Sequence, residues 1–323
     1  MALRRAPAVE VVVASRKGPV AIDLADPRTF AALDGADVVV DASSSHAVRP
    51  DALASYCLEH ALTMLEASSD RQVVERLLST HRGVAARGTL VLGAGIFTGV
   101  SNALGAYAAT HVRAVRSLEI GVRSSPFSGA GGGTVDLMAD VLAIPTRSVK
   151  EGAPVDGPSV AAGPRLPFFD GEHATLHVPF AEPAMLHAST GARDVAMYMA
   201  PSPGLLRMAF LALPLWLASS RAFGAFLRLY FSFLRRVVLR RASSRVGLVA
   251  RATGEDGEHV AVVDVDEGVA AAGAAIAATA IALAGQGEPR RGTWLVDELV
   301  PLDAMLAGIT RLSDVRVRPR GVS

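Results

Sequence analysis

Apolar positions along the chain fall into short β-branched runs separated by helical spacings. The run at 9–14, Val-Glu-Val-Val-Val-Ala, has the make-up of a strand buried on both faces. A second short strand is predicted at 20–23, a helix from Pro27, and a third strand at 36–41, Ala-Asp-Val-Val-Val-Asp. A helix at 50–60, a strand at 62–67, a helix at 72–81 and a strand at 89–92 continue the alternation. Strand then helix, repeated, implies an α/β fold built on a doubly wound parallel sheet.

The pattern changes after Gly99. A helix at 101–111 leads to a strand-like 117–123 and then to a Gly-rich segment, 128–133, where a second, α+β domain is expected to begin. It would hold a helix at 134–142, a Pro- and Gly-rich stretch at 152–167, strands near 174–178 and 194–199, and a hairpin. The hairpin pairs 246–253 with 259–265 around Gly254-Glu-Asp-Gly257. An Ala-rich helix at 269–284 follows.

Composition removes several function classes. The 32 basic and 31 acidic residues nearly cancel, so no whole-molecule field argues for nucleic acid. A single cysteine, Cys57, excludes an internal disulfide, and with no secretory leader read at the start a cytoplasmic setting is expected. Cys57 sits in an apolar helical run without a base beside it, as a small buried residue would. His173 and His177 are four apart on what reads as a strand before Pro179, so they read as structural and no metal site is expected. No Ser-His-Asp, two-carboxylate or phosphate-loop constellation emerges, and no general acid or base can be named.

The segment 205–239 is rich in Leu, Phe and Trp, but its longest uncharged stretch, 208–220, is 13 residues. A span needs roughly 20. Arg207, Arg221, Arg228 and Arg235 recur at multiples of seven, which on a helix places them on nearly one face. Opposite them fall Phe223, Phe226, Leu227, Tyr230, Phe233 and Leu234, with Pro214 dividing the segment. Two readings follow: an interfacial helix in peripheral contact with a membrane, or a helical cover over the second domain.

Four segments, in order, carry a likeness: Val11-Val-Val-Ala-Ser-Arg-Lys17, Ala36-Asp-Val-Val-Val-Asp-Ala42, Cys57-Leu-Glu-His-Ala-Leu-Thr-Met-Leu-Glu66, and Gly93-Ala-Gly-Ile-Phe-Thr-Gly-Val-Ser-Asn102. With Gly129-Ala-Gly-Gly-Gly-Thr134 and Gly292-Thr-Trp-Leu-Val-Asp-Glu298, they resemble the saccharopine dehydrogenase-like family of NAD(P)-binding oxidoreductases. The resemblance implies an incomplete Rossmann-like domain over 1–110, a substrate and dimerisation domain over 111–265, and a C-terminal return over 266–323 packing on the first. The family opens with a strand, a Gly-rich turn and a helix ahead of the strand matched by 9–14. Here Met1-Ala-Leu-Arg-Arg5 resembles only the tail of that helix, so the chain is expected to be a member truncated at its N-terminus or impaired in cofactor binding. A dinucleotide fingerprint could instead be sought at 90–99, but its third glycine position falls on Thr98 and no acid follows about 20 residues on.

The site expected from the resemblance has three parts. Ser15, Arg16 and Lys17 end the strand where NAD-binding proteins carry an acid, so a basic pair suits the 2′-phosphate of NADP better than NAD; the bland reading is two solvated cations. Asp23 is an adenine contact or a helix cap, and Ala42, Ser43 and Ser44, with His46 nearby, form a loop toward the cofactor. Gly95 belongs to the cofactor side, and Gly99, Asn102 and Thr134 to the substrate pocket; Glu66 and Asp70 are rim candidates or caps. The implied activity is NADP-dependent hydride transfer on a small apolar or acyl-type substrate by a homodimer. The alternative is a non-catalytic, cofactor-impaired member acting at a membrane interface or on a partner.

Overall fold

The computed structural model describes residues 9–43, 49–125, 144–212, 221–233, 243–287 and 290–322. The chain forms two compact units, Met1–Ala103 with Ala270–Asp314, and Leu104–Val269 with Val315–Ser323.

In the first unit, β1 (Ala14–Ser15) and β2 (Val20–Ala21) pair in parallel, and among the described residues only with each other. The expected buried strand at 9–14 is thus reduced to two exposed residues. A two-strand ribbon covers neither face, and Val12 and Val13 stay exposed. A 3-10 turn, Pro27–Leu33, is capped by Asp26, whose carboxylate accepts from the Arg28 amide, and it buries Phe30 against Tyr56. The main sheet then builds as β3 (Val39–Asp41), α1 (Asp51–Glu59), β4 (Thr63–Glu66), α2 (Arg71–His81) and β5 (Thr89–Leu92). Its strands are parallel and in the order β3-β4-β5, and β4 and β5 are buried along their whole length. Such strands read as continuous apolar runs, which is why 62–67 and 89–92 could be read from sequence. Asp70 caps α2 by accepting from the Gln72 and Val73 amides. After β5 the chain turns into α3 (Ser101–Thr110).

The second unit centres on a mixed sheet containing nine strands among the described residues. It comprises β6 (Ser117–Ser124), β7 (Thr146–Lys150), β8 (Ala153–Gly157), β9 (Ala161–Phe168), β10 (Gly171–His177), β11 (Asp194–Pro201), β12 (Val246–Thr253), β13 (Glu258–Val265) and, from the end of the chain, β15 (Val317–Arg320). Helices α4 (Glu182–Thr190), α5 (Leu205–Leu211) and α6 (Arg221–Phe233) fall between these strands. The order is β15-β13-β12-β6-β11-β10-β9, with β7 also on β11 and β8 on β7; β6 and β11 are parallel. On one face α3 and α4 come so close that a side chain at Gly105 would lie 2.8 Å from Leu186 and 2.9 Å from Ile120. On the other, the sheet curls until β9 covers β6 and β12, burying Leu166 and Phe168 with Ala200, Val249 and Val262. Gly121 makes this possible, since a Cβ there would lie 2.7 Å from Leu166 and from Val249.

The Pro- and Gly-rich stretch 152–167, for which no strand was expected, contains β8 and most of β9. Their Pro154, Pro164 and Pro167 are tolerated because these strands sit at the margin of the sheet. The expected helix at 134–142 lies outside the described residues. The hairpin forms as expected, with Thr253 opposite Glu258.

The chain returns through α7 (Gly268–Ala284), and β14 (Gly292–Leu295) adds in parallel to the free edge of β5. Helix α8 (Leu302–Leu312) packs on the turn after β5 and crosses α7 where a Cβ on Gly308 would lie 2.3 Å from that of Ala278. The last strand, β15 (Val317–Arg320), completes the second unit's sheet beside β13. Among the described residues no helix is long and apolar enough to cross a membrane.

Candidate functional site

In a wholly parallel ladder every strand delivers its last residue to the same edge. Here that edge receives Asp41 from β3, Glu66 from β4 and Leu92 from β5. Ligands of open α/β sheets bind outside the carboxyl ends of the strands, so this is where the first unit would do chemistry. The segments leaving the edge are tied to one another: the Ala67 amide donates to the Asp41 carbonyl at 3.1 Å, and the Gly93 amide to the Glu66 carbonyl at 3.0 Å. The Thr98 hydroxyl reaches the Ser68 carbonyl at 3.2 Å.

Asp41 and Glu66 stand opposite each other in the β3–β4 register and are both buried, Glu66 to 2% exposure. Each carboxylate has one oxygen taken by an amide two residues on, Ser43 to Asp41 Oδ1 and Ser68 to Glu66 Oε1, both at 2.9 Å. Among the described residues no donor reaches Glu66 Oε2. Burial, then the Asp41 charge, push the Glu66 carboxyl up to about 8. Glu66 therefore holds a proton at neutral pH. The same burial, reinforced by Asp41, pushes the Cys57 thiol up to about 12, so it stays an inert core thiol.

Beside the pair lies the turn 93–100. Gly93 adopts φ +86°, and Thr98 is held at φ +57°, a left-handed conformation unusual for a β-branched residue. Gly99 lies against the backbone of Ala94, 2.5 Å from where a Cβ would meet its carbonyl carbon, whereas Gly95 has room for one. Strand, glycine turn and helix do follow one another here, and Ser101 and Asn102 are fully buried at the start of α3.

The structure thus gathers Asp41, Ala42, Ser43, Glu66, Gly95, Gly99 and Asn102 on the segments of one edge. It does not join Ser15, Arg16, Lys17 and Asp23 to that ladder, because β1 and β2 have no hydrogen bond to β3. Arg16 and Lys17 are exposed in the β1–β2 turn, and Asp23 accepts from the Ala25 amide in a local turn, closer to the capping reading. Asp70 is a helix cap. Ser44, His46 and Thr134 lie outside the described residues. Asp41 was missed as a partner of Glu66; the available signal was an acid as last residue of two successive strands.

His173 meets Asp170 at 3.1 Å, and His177, on the same strand, is held below the usual imidazole range by burial. Among the described residues no group of three or more His, Cys, Asp or Glu side chains could hold a metal ion. A concavity of about 520 Å³, lined by Ser55, Leu58, Glu59, His81 and Arg87, sits at the opposite end of the strands, where α1 and α2 finish.

A dinucleotide would find residues for its two ends, the exposed Arg16–Lys17 pair for a ribose phosphate and the Glu66 edge for the reacting ring. For the pyrophosphate between them, a glycine turn opening a helix is required. On the resemblance that turn precedes β1, and the turn that follows β1, closed by the Gly18 amide on the Ser15 carbonyl, opens no helix. The fit is therefore to the ends and not to the middle. No protein-family model matches the chain, and no curated protein matches it.

Proposed function

We propose that the chain is an NADP-dependent oxidoreductase of the saccharopine dehydrogenase-like type, acting on an apolar or acyl-type substrate with Glu66 holding the exchangeable proton. The observation that carries this reading is the parallel edge itself, where two buried acids, Asp41 and Glu66, and a glycine turn meet at the carboxyl ends of adjacent strands. Strand order adds support. In the Rossmann order the second and third strands lie on the far side of the first. β1 and β2 would take those places, and β3, β4 and β5 the fourth to sixth, if one further parallel strand lay between β1 and β3. That strand and its turn are also what the pyrophosphate lacks.

When bound, the dinucleotide supplies or accepts the hydride. The chain's own residues bind, orient and manage the proton. Arg16 and Lys17 offer charge-assisted donors to a 2′-phosphate, and the Gly99 packing fixes the turn that borders the substrate. Glu66, protonated at neutral pH, can give its proton to a carbonyl oxygen that gains negative charge, leaving a carboxylate that Ser68 still holds. The homodimer and the cytoplasmic setting belong to the same proposal.

The test is NADPH binding, followed by nicotinamide fluorescence, on this chain and on a version extended upstream in frame. Binding by the extended chain, weakened about tenfold by Arg16→Ala with Lys17→Ala and with little change for NADH, supports the reading. Failure of both chains sinks it and leaves the second reading, a non-catalytic, cofactor-impaired member.

A further inference from the structure

Among the described residues, every large exposed apolar side chain other than valine lies on α5 or α6. These are Leu205, Met208, Phe226, Leu229 and Phe233, between 50% and 82% exposed. The two helices already have their own core contact, Phe210 against Phe231 at 6.0 Å, with Leu206 and Leu227 also buried. Helix α6 is therefore apolar on two sides. Leu227 and Phe231 face the protein, while Phe226, Leu229 and Phe233, spaced at three and four residues, share a side that nothing described covers. The simpler two-faced helix expected from the arginine spacing is corrected accordingly: Leu227 turns inward, away from Phe226 and Phe233.

The charge of this part of the chain is as one-sided as its apolar surface. Between Asp194 and Glu255 the sequence holds nine arginines and not one acidic residue, in a protein whose net charge is +1; two of the nine, Arg245 and Arg251, are paired with Asp264 and Glu119 and do not belong to this surface. A second copy pairing through the same faces about a two-fold axis would bring two such stretches together. An anionic partner meets both features at once, the apolar side by burial and the arginines by attraction.

We infer that α5 and α6 form a surface that binds an anionic lipid bilayer, lying in its interface without spanning it. The leucine, methionine and phenylalanine side chains enter the boundary between headgroups and acyl chains, and the arginines stay at headgroup level. Neither helix has the length to cross, seven and 13 residues against roughly 20 required. The inference concerns the second unit and does not depend on the dinucleotide.

The experiment is flotation of the full chain with unilamellar vesicles of phosphatidylcholine alone, and of phosphatidylcholine mixed with phosphatidylglycerol. The chain is expected to float with the phosphatidylglycerol vesicles about tenfold more than with phosphatidylcholine, less as salt rises. Leu229→Ser with Phe233→Ser should lower that fraction about tenfold with unchanged thermal unfolding. Val155→Ser, at an exposed valine on β8, should float like the unaltered chain. Equal flotation on both lipids, or no loss in the double variant, overturns the inference. So does a chain that ignores vesicles but elutes as a dimer that the double variant breaks, which would assign the face to a second copy.

Discussion

Glu66 couples the stability of the first unit to pH. Its carboxyl moves from an ordinary 4.5 to about 8 on folding, so the folded state keeps a proton that the unfolded state has lost. The stabilising contribution is complete below about 4.5 and disappears as pH rises through about 8, at up to about 1.4 kcal/mol per pH unit. The melting temperature is expected to fall between pH 5 and pH 8, and Glu66→Gln to flatten that slope. The amide keeps an acceptor for Ser68 and offers Asp41 a permanent donor. A variant with the same slope as the unaltered chain would place the proton elsewhere. Cys57 gives a second readout: its buried thiol, pushed up to about 12, should resist alkylation until the unit opens. Labelling in native buffer as fast as in denaturant would contradict its burial.

At the scale of elements, the turn after β5 separates two glycines that look alike in sequence. Gly99→Ala should cost about 2–4 kcal/mol, because the new Cβ would strike the Ala94 backbone, which cannot yield as a side chain can. Gly95→Ala should be nearly neutral, its Cβ meeting nothing closer than 3.6 Å. Urea unfolding of both variants checks the contrast. Gly121→Val belongs with the costly class, since it would lift Leu166 and Phe168 off β6. What could be read in advance follows the same physics. Strands 89–92 and 246–253 were legible because burial leaves runs such as Leu90-Val-Leu92 and Leu248-Val-Ala250 at their centres. The run at 9–14 carried the same signal without the neighbours that burial needs. β8 and β9 were hidden by prolines and glycines that marginal strands accept, and β7, Thr-Arg-Ser-Val-Lys, by its polar make-up. Helix α8 was overlooked although Leu302, Met305, Leu306, Ile309 and Leu312 repeat at helical spacing. The Asp41–Glu66 pair was signalled only by an acid closing each of two successive strands, and that signal does not say that the two strands are neighbours.

On the scale of the whole molecule, each unit is closed by a strand from far along the chain. β15 ends the second unit's sheet, and its Arg318 joins Arg245 on the buried carboxylate of Asp264. Deleting 315–323 should lower the stability of that unit by about 1–3 kcal/mol and bare the edge of β13; thermal unfolding and light scattering would register both. The first unit waits longer still for its closing strand. Leu90, Val91 and Leu92 have no exposure in the finished protein, yet β14, which covers their edge, is encoded only after the second unit's sequence has intervened. At a synthesis rate of about 5–20 residues per second, the roughly 200 residues between them keep β5 open for about ten to forty seconds. During every round of translation the nascent chain therefore presents an apolar strand edge to whatever is near the ribosome, and its yield in the cell should depend on what holds that edge in the interval.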